Sequence, residues 1–363
     1  MKNNLKIINI KKVFLNYLIM KKKTSKSECI NDQQIVEENQ DIQKIQEYKK
    51  FIANKIKPIL EIDAENDFDK LRIMVSAALL SKNDDSNSGI EFNERCKVGN
   101  NIVDFFTFIE RLETRGKYNI NFYDFVKNIE EFKKKKFIQN MFTYYSTVKN
   151  ARGLKNEYIV MKEVYNICIS AINIFRPLMA VEVYTKYKPS VVLDPCAGWG
   201  GRAVGAAVCE NVYYFGMDIN SSLQFPYQNM CSFLNSKCKI NKIHMTIADA
   251  VTYDYSQLQP RYDMVFTSPP YYFIEKYQHN YDYNNSKDEM DQHFYVPLFS
   301  NTFLHLLPGG YMVLNVNREI YERVCLQLFG PAHETMSCKK SKRQNDYREI
   351  IYIWIKNKNH ILA

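Results

Sequence analysis

The chain is predicted to fold as an α/β protein, a doubly wound and mostly parallel sheet preceded by a mainly helical lobe. Two observations predict it. From Ser190 onward, short β-branched or aromatic runs alternate with helix-like segments, the pattern of parallel strands joined by crossover helices. Before that point, apolar and aromatic residues recur at helical spacing instead.

Taken in order, residues 1–60 read as a basic and polar extension. Met1 to Lys23 mixes Lys with Ile, Leu and Phe, and lacks the apolar core and small-residue cleavage site of a secretory signal. Residues 24–60 are rich in Gln, Glu, Asp and Lys, and read as a linker leading into a helix. Residues 61–180 form the helical lobe. LRIMVSAALL (71–80) is apolar enough to be buried, KNDDSNSG (82–89) is a loop, and NIVDFFTFIERLE (101–113) and residues 121–146 carry aromatics at helical intervals. The run Lys133–Lys136 then falls at the polar end of a helix, as a solvated face or as a grip on phosphate.

The third segment, 181–357, carries the sheet. SVVLD (190–194) is a strand, GRAVGAAVC (201–209) a small-residue helix and VYYFGMD (212–218) a second strand. A helix at 225–235 leads to HMTIAD (244–249), and YDMVFTSPP (262–270) is a strand ending in a Pro-Pro turn. A helix near 288–307, the strand GGYMVLNV (309–316), a helix after Arg318 and the strand YREIIYIWIK (347–356) complete the series. In such sheets ligands bind at the carboxyl ends of the strands.

Composition narrows the partners. The chain has 363 residues, and its hydrophobic fraction of 46% supports a large core rather than global disorder. The net charge of +9 favours a polyanionic partner, although abundant Lys, Asn, Ile and Tyr also bear the imprint of an AT-rich genome. Nine scattered cysteines without a CxxC pair argue against zinc and for a reducing, intracellular compartment such as the cytoplasm. No apolar run is long enough to cross a bilayer, so no membrane partner is expected.

Four motifs fall at strand ends. In VVLDPCAGWGGR (191–202), Gly198, Gly200 and Gly201 let backbone approach a ligand at a helix N-terminus. The loop fits neither the dinucleotide GxGxxG nor the phosphate loop, and its plainer reading is a tight strand–helix turn. Asp218, about 20 residues on, is placed to accept hydrogen bonds from ribose hydroxyls. Asp249 is placed to meet the amino group of a nucleoside's adenine. Each Asp is otherwise a cap. TSPPYY (267–272) is the sharpest signal, because consecutive prolines fix the backbone. Ser268 Oγ and the Pro269 carbonyl can accept both hydrogens of an amino group on a base and leave its lone pair free for alkylation. Tyr271 can stack on that base, replacing the stacking lost when it is flipped from a duplex. The plainer reading is a Pro-rich turn with surface tyrosines.

The Gly loop followed by SPPY resembles the amino-methyltransferase family of DNA methyltransferases, which make N6-methyladenine or N4-methylcytosine. With FFTFIERLETRG (105–116), NFYDF (121–125), INIFRPLMA (172–180), PLF (297–299) and EIYERV (319–324), the resemblance extends to methylases encoded by large DNA viruses and phages and covers roughly residues 60–356. It implies a Rossmann-like, seven-stranded methyltransferase sheet. It implies S-adenosyl-L-methionine as cofactor, with its methionine part on Asp194, Cys196, Ala197, Gly198 and Gly200, its ribose on Asp218 and its adenine on Asp249. Arg176, which precedes the loop, is placed to pair with the methionine carboxylate, or packs with Phe175. Target-amine binding falls to Ser268, Pro269, Pro270 and Tyr271. Two features depart from the family pattern: Cys196, where Phe is commonest, and the ending Trp199 to Arg202.

The expected reaction is direct methyl transfer to a neutral amine of a flipped base in duplex DNA, with no metal and no covalent intermediate. Only roughly 70 residues separate Gly198 from Ser268, too few for a large recognition domain. Recognition therefore falls to the N-terminal lobe, to the polar segment 273–292, read as a mobile cover over the base, or to the tail, where the basic loop 338–349 can contact phosphates. Ser268 leans toward cytosine N4 and away from RNA or protein-glutamine enzymes, which more often carry Asn there. An inactive DNA-binding protein with the same fold is the rival of another class. The choice of DNA over RNA rests on the resemblance alone, and oligomeric state is not legible.

Overall fold

The computed structural model describes residues 32–81, 89–93, 96–115, 118–153, 155–170, 172–240, 242–273, 286–338 and 349–357. The basic start at 1–23, nearly all of the loop at 82–89, the centre of the expected cover and the centre of the basic loop lie outside them. The chain divides into two compact units, Met1–Glu47 and Tyr48–Ala363.

Helix α1 (Asp32–Phe51) is followed by a π-helical turn, Ile52–Ile56, and by α2 (Lys57–Leu80). The expected linker at 24–60 is thus helical from Asp32 on, because Gln, Glu and Lys are strong helix formers even without an apolar stripe. The run 71–80 is buried on one face only. Leu71 and Val75 enter the core, while Ile73 is 65% and Leu80 87% exposed. α3 (Asn100–Glu113) begins at Gly99, whose N–H, like that of Asn101, donates to the buried carboxylate of Asp67 (2.7 and 3.2 Å). The single helix expected over 121–146 is three helices: α4 (Phe122–Lys127), α5 (Ile129–Lys133) and α6 (Lys136–Ser146). Asn128 breaks the first junction, its side chain donating to the Asp124 carbonyl (2.8 Å), the local competition with helical bonds typical of Asn. The run Lys133–Lys136 therefore spans a helix break, and Lys133 and Lys134 pair with Glu130 and Glu131. α7 (Glu157–Cys168) and α8 (Pro177–Tyr187) lead into the sheet.

The sheet strands are β1 (Val191–Asp194), β2 (Tyr213–Asp218), β3 (Ile243–Ile247), β4 (Met264–Thr267), β5 (Tyr311–Val316), β6 (Glu334–Cys338) and β7 (Glu349–Ile355), in the order β3-β2-β1-β4-β5-β7-β6. The first five pair in parallel and β7 runs antiparallel between β5 and β6. This is the expected doubly wound, mostly parallel sheet of seven strands. Crossover helices include α9 (Gly201–Val208) after β1, α10 (Gln224–Ser236) after β2 and α11 (Val296–His305) after β4. Successive strand residues face opposite sides. Val192, Met264, Phe266 and Val313 join one core with Phe68, Ile102, Val181 and Val204 of the helices. Leu193, Val265, Met312 and Leu314 join the other with Leu298, Phe299 and Trp354. The winding reverses between β1 and β4, which opens a crevice at their carboxyl ends.

Two helix C-termini in this unit are closed by a lysine rather than by glycine. Lys242, just before β3 and 2% exposed, donates to the carbonyls of Ala206 (3.2 Å), Glu210 (3.3 Å) and Cys209 at the end of α9. Lys356 does the same for Phe303, Leu304 and Leu306 after α11 (2.7, 2.7 and 2.9 Å). A cation there meets both the orphan carbonyls and the negative end of the helix dipole. Replacement Lys242→Met keeps the stem and removes the ammonium. It is expected to cost roughly 1–3 kcal/mol, read as a lower urea midpoint, and an unchanged midpoint would count against the cap.

Candidate functional site at the carboxyl ends of β1, β2, β4 and β5

Parallel pairing brings the predicted motifs to one edge of the sheet. Asp194 lies opposite Gly216, Asp218 opposite Ile247, and Thr267 opposite Leu314. The Gly loop therefore leaves β1 beside Asp218, and the Ser268 turn leaves β4 on the loop's other side. One hydrogen bond joins the two motifs, from the Cys196 N–H to Oγ1 of the fully buried Thr267 (3.1 Å).

Beneath the loop is a closed polar cluster. Asp194 has no exposure, and its carboxylate takes Arg202 Nε (2.6 Å), Arg202 Nη2 (3.1 Å) and the Tyr214 hydroxyl (2.6 Å). Arg202 Nη2 also donates to the Cys196 carbonyl (2.5 Å). Burial alone would lower the Arg202 pKa, but the Asp194 carboxylate more than offsets it and raises the guanidinium above its ordinary value. The guanidinium lies over the Phe175 ring at 4.9 Å and the Phe266 ring at 5.9 Å. Asp194 thus faces the protein, in a bidentate charged pair, and acts on the loop rather than toward an open site.

The loop's own backbone is tied at each step. Ala197 N–H donates to the Met217 carbonyl (2.8 Å), Gly198 N–H to Asp218 Oδ2 (3.0 Å), and the Tyr227 hydroxyl to the Gly198 carbonyl (2.6 Å). Gly200 caps α9 in the left-handed conformation, φ +83°. At Gly201 a β-carbon would sit 1.8 Å from the Phe175 carbonyl oxygen, so only glycine lets the segment before α8 lie against the loop. That contact places Arg176, the half-buried N-cap of α8, beside the loop. Cys196 is half-buried, and burial first, then Asp218 and Asp194, push its thiol well above the usual range. Neither its burial nor its acidic neighbours favour the thiolate that a nucleophilic cysteine needs.

Asp218 is half-buried at the end of β2. Its second oxygen accepts from the Asn220 N–H (2.9 Å). Burial raises its pKa above the ordinary aspartate value, against the lowering pull of the Asn220 and Gly198 N–H groups. Asp249 lies two residues past β3 and caps the following turn, accepting from Val251 N–H (2.9 Å) and Thr252 Oγ1 (3.1 Å).

The Ser268 turn is held from two sides. On one, Asn315 of β5 accepts from Ser268 Oγ (3.1 Å) and from the Tyr271 hydroxyl (2.9 Å) at Oδ1. On the other, the Tyr295 hydroxyl donates to the Pro270 carbonyl (2.5 Å) and accepts from the Tyr272 N–H (2.9 Å). Tyr272 is left-handed at φ +43° and buried, a strained state for a bulky residue. Arg323 steadies it, donating from Nε to the Tyr272 hydroxyl (3.2 Å) and Asp291 (2.8 Å) and from Nη2 to Asp288 (2.5 Å). Asn315, Tyr227 and Tyr295 were not singled out from the sequence, and Arg202 was noted there only as the end of a departing loop. Asn315 had a signal, a lone amide in the otherwise apolar strand 309–316.

No protein-family model matches the chain, and no curated protein matches it. Solved structures do. TrmN from Thermus thermophilus is similar at 16% identity and a TM-score of 0.36, over 50% of this chain and 48% of TrmN. An rRNA methylase from Streptococcus thermophilus is similar at 13% identity and a TM-score of 0.34, over 52% of this chain and 100% of that one. The N-methyltransferase NodS from Bradyrhizobium japonicum is similar at 12% identity and a TM-score of 0.31, over 47% of this chain and 87% of NodS. The chain thus spans about half the length of TrmN.

Arg202→Leu leaves the Asp194 charge buried without its partner. A loss of about 3–5 kcal/mol is expected, measured by urea unfolding, and a loss under about 1 kcal/mol would mean that the pair does not hold the loop.

Proposed function

We propose that the chain is an S-adenosyl-L-methionine-dependent methyltransferase that methylates an exocyclic amino group of a flipped base in duplex DNA, N4 of cytosine or N6 of adenine. The observation that carries the reading is the junction of the two motifs. A glycine loop and a Ser-Pro-Pro-Tyr turn leave adjacent parallel strands at the switch point and are joined by the Cys196–Thr267 hydrogen bond. A cofactor held by the first then lies next to a base held by the second.

The groups present fit that cofactor. Gly198 takes φ +55°, and a β-carbon there would meet only the Cys196 carbonyl at 4.0 Å, so its outer face is open. The Asp218 carboxylate ends β2, and the Asp249 carboxylate lies two residues past the adjacent β3. Two acidic groups repel a phosphate and suit ribose hydroxyls and an adenine amino group. Arg176 is the cation placed near the loop for a carboxylate. When bound, the cofactor supplies an electrophilic methyl group. Asp194, through Arg202, keeps the loop in shape for it, while Cys196 and Ala197 line the bend.

Ser268 Oγ and the Pro269 carbonyl accept the amine hydrogens, and the Pro269–Pro270 pair holds their separation. Tyr271 supports the ring of the base. Support for a nucleic-acid substrate comes from the net charge of +9 and from the resemblance of SPPY to amino-methyltransferases of DNA. RNA and a protein glutamine are the other substrates to be tested.

Incubation with methyl-labelled cofactor and unmethylated duplex DNA, followed by digestion to nucleosides, tests the reading. Labelled N4-methylcytosine or N6-methyladenine is expected, with Ser268→Ala lowering the rate by about a hundredfold or more. Label found only in RNA or protein would move the substrate, and failure to bind the cofactor would leave a non-catalytic DNA-binding protein. Binding has its own pH signature. The Asp218 carboxylate accepts most strongly when ionised, and its pKa lies above the ordinary value. Cofactor affinity is therefore expected to fall on acidification at a higher pH than an unperturbed aspartate would give, and calorimetric titration of Asp218→Ala should show weak binding without that dependence.

A further inference from the structure

We propose that Asn315 is a positioning residue that turns the Ser268 hydroxyl into an acceptor-only group, and so selects a base bearing an amino group over one bearing a carbonyl at the same place. The proposal rests on the reading of Ser268 as the group that meets the target.

Asn315 is the penultimate residue of β5 and is 2% exposed. β5 is paired on both sides, with β4 and with β7, so this amide is buried in the middle of the sheet, where unmatched polar groups are costly. Its orientation is set by chemistry. Nδ2 can only donate, and it donates to the Ile350 carbonyl on β7 (3.3 Å). Oδ1 can only accept, and it faces Ser268 Oγ (3.1 Å) and the Tyr271 hydroxyl (2.9 Å). The Asn315 main-chain carbonyl lies 3.1 Å from the same tyrosine hydroxyl, and it too can only accept. In these bonds each hydroxyl is the donor and spends its single proton on Asn315.

A serine hydroxyl left to itself is ambivalent. It can rotate to accept from an amine or to donate to a carbonyl. With its proton committed to Asn315, Ser268 Oγ has only lone pairs left for the site. Cytosine and adenine present an amino group on the edge where thymine and guanine present a carbonyl. The first matches such a site. The second sets lone pairs against lone pairs, the kind of mismatch that polar sites reject most strongly. Asn315 acts through Ser268 and Tyr271 rather than by touching the base.

Two measurements test this. The first needs no substrate: urea midpoints of Ser268→Ala, Asn315→Ala and the double variant. The double variant is expected to shift the midpoint by less than the sum of the singles, and additive shifts would overturn the bond. The second uses duplexes carrying the base identified by the labelling assay, or the same duplex with its amino group replaced by a carbonyl (deoxyuridine for deoxycytidine, deoxyinosine for deoxyadenosine), as competing ligands. The native protein should prefer the amino duplex. Asn315→Ala should reduce that preference by about tenfold or more, and Asn315→Asp, which keeps the Oδ1 acceptor and, protonated on its second oxygen, still donates to the Ile350 carbonyl, should restore most of it. An unchanged preference in Asn315→Ala, or no recovery in Asn315→Asp, would overturn the proposal. A native protein that neither labels DNA nor discriminates the duplexes would overturn the reading of Ser268 and the selection with it, while the unfolding arm still reports the bond on its own.

Discussion

A carboxylate with no exposure has to be paired, and Asp194 is paired with Arg202 eight positions later. That requirement shapes everything around it. Because Arg202 belongs to the first turn of α9 and Asp194 ends β1, the ion pair pulls the loop between them into a tight arch. The same guanidinium grips the Cys196 carbonyl and is covered by Phe175 and Phe266. The pair thus binds five segments at once: β1, the loop, α9, β4 and the stretch before α8. Breaking a buried pair costs more than forming it contributes, so the geometry of the loop is specified sharply even where the net stabilisation is modest.

Upon that base the site is assembled by hydrogen bonds between motifs rather than within them. Thr267 joins the serine turn to the loop, Asp218 joins β2 to the loop, and Asn315 joins β5 to the turn. Each bond runs sideways across the sheet between neighbouring strand ends. The parallel register makes this possible, since it puts five carboxyl ends on one edge without any long-range loop having to find its place.

Much of this was legible in the residues. The strand–Gly loop–helix unit, the acidic strand ends and the serine turn all stand in contiguous runs, and contiguous runs are what periodicity and turn chemistry read. The rest was hidden for physical reasons. β6, ETMSC, sits at the sheet edge and is mostly exposed, so it has no apolar alternation to betray it. The breaks at Asn128 and Lys134 are local choices that helical spacing of aromatics passes over. Asp194 reads as a ligand contact by its place at the head of the glycine loop, while in the structure its carboxylate is taken by Arg202, a residue within the same motif. Asn315 is brought to Ser268 only by strand pairing, which no local pattern encodes.

Arg323 has a consequence of another kind. It holds Tyr272 on one side and Asp288 and Asp291 on the other, so the chain leaves the turn after Tyr272 and returns before α11 at two points riveted together. The strained backbone of Tyr272 lies on the protein side of that rivet, with Ser268 and Asn315 behind it. The turn is therefore clamped from both of its ends, by Tyr295 on the Pro270 carbonyl and the Tyr272 N–H and by Arg323 on the Tyr272 hydroxyl, so its one strained residue is held by side chains that come from outside the turn.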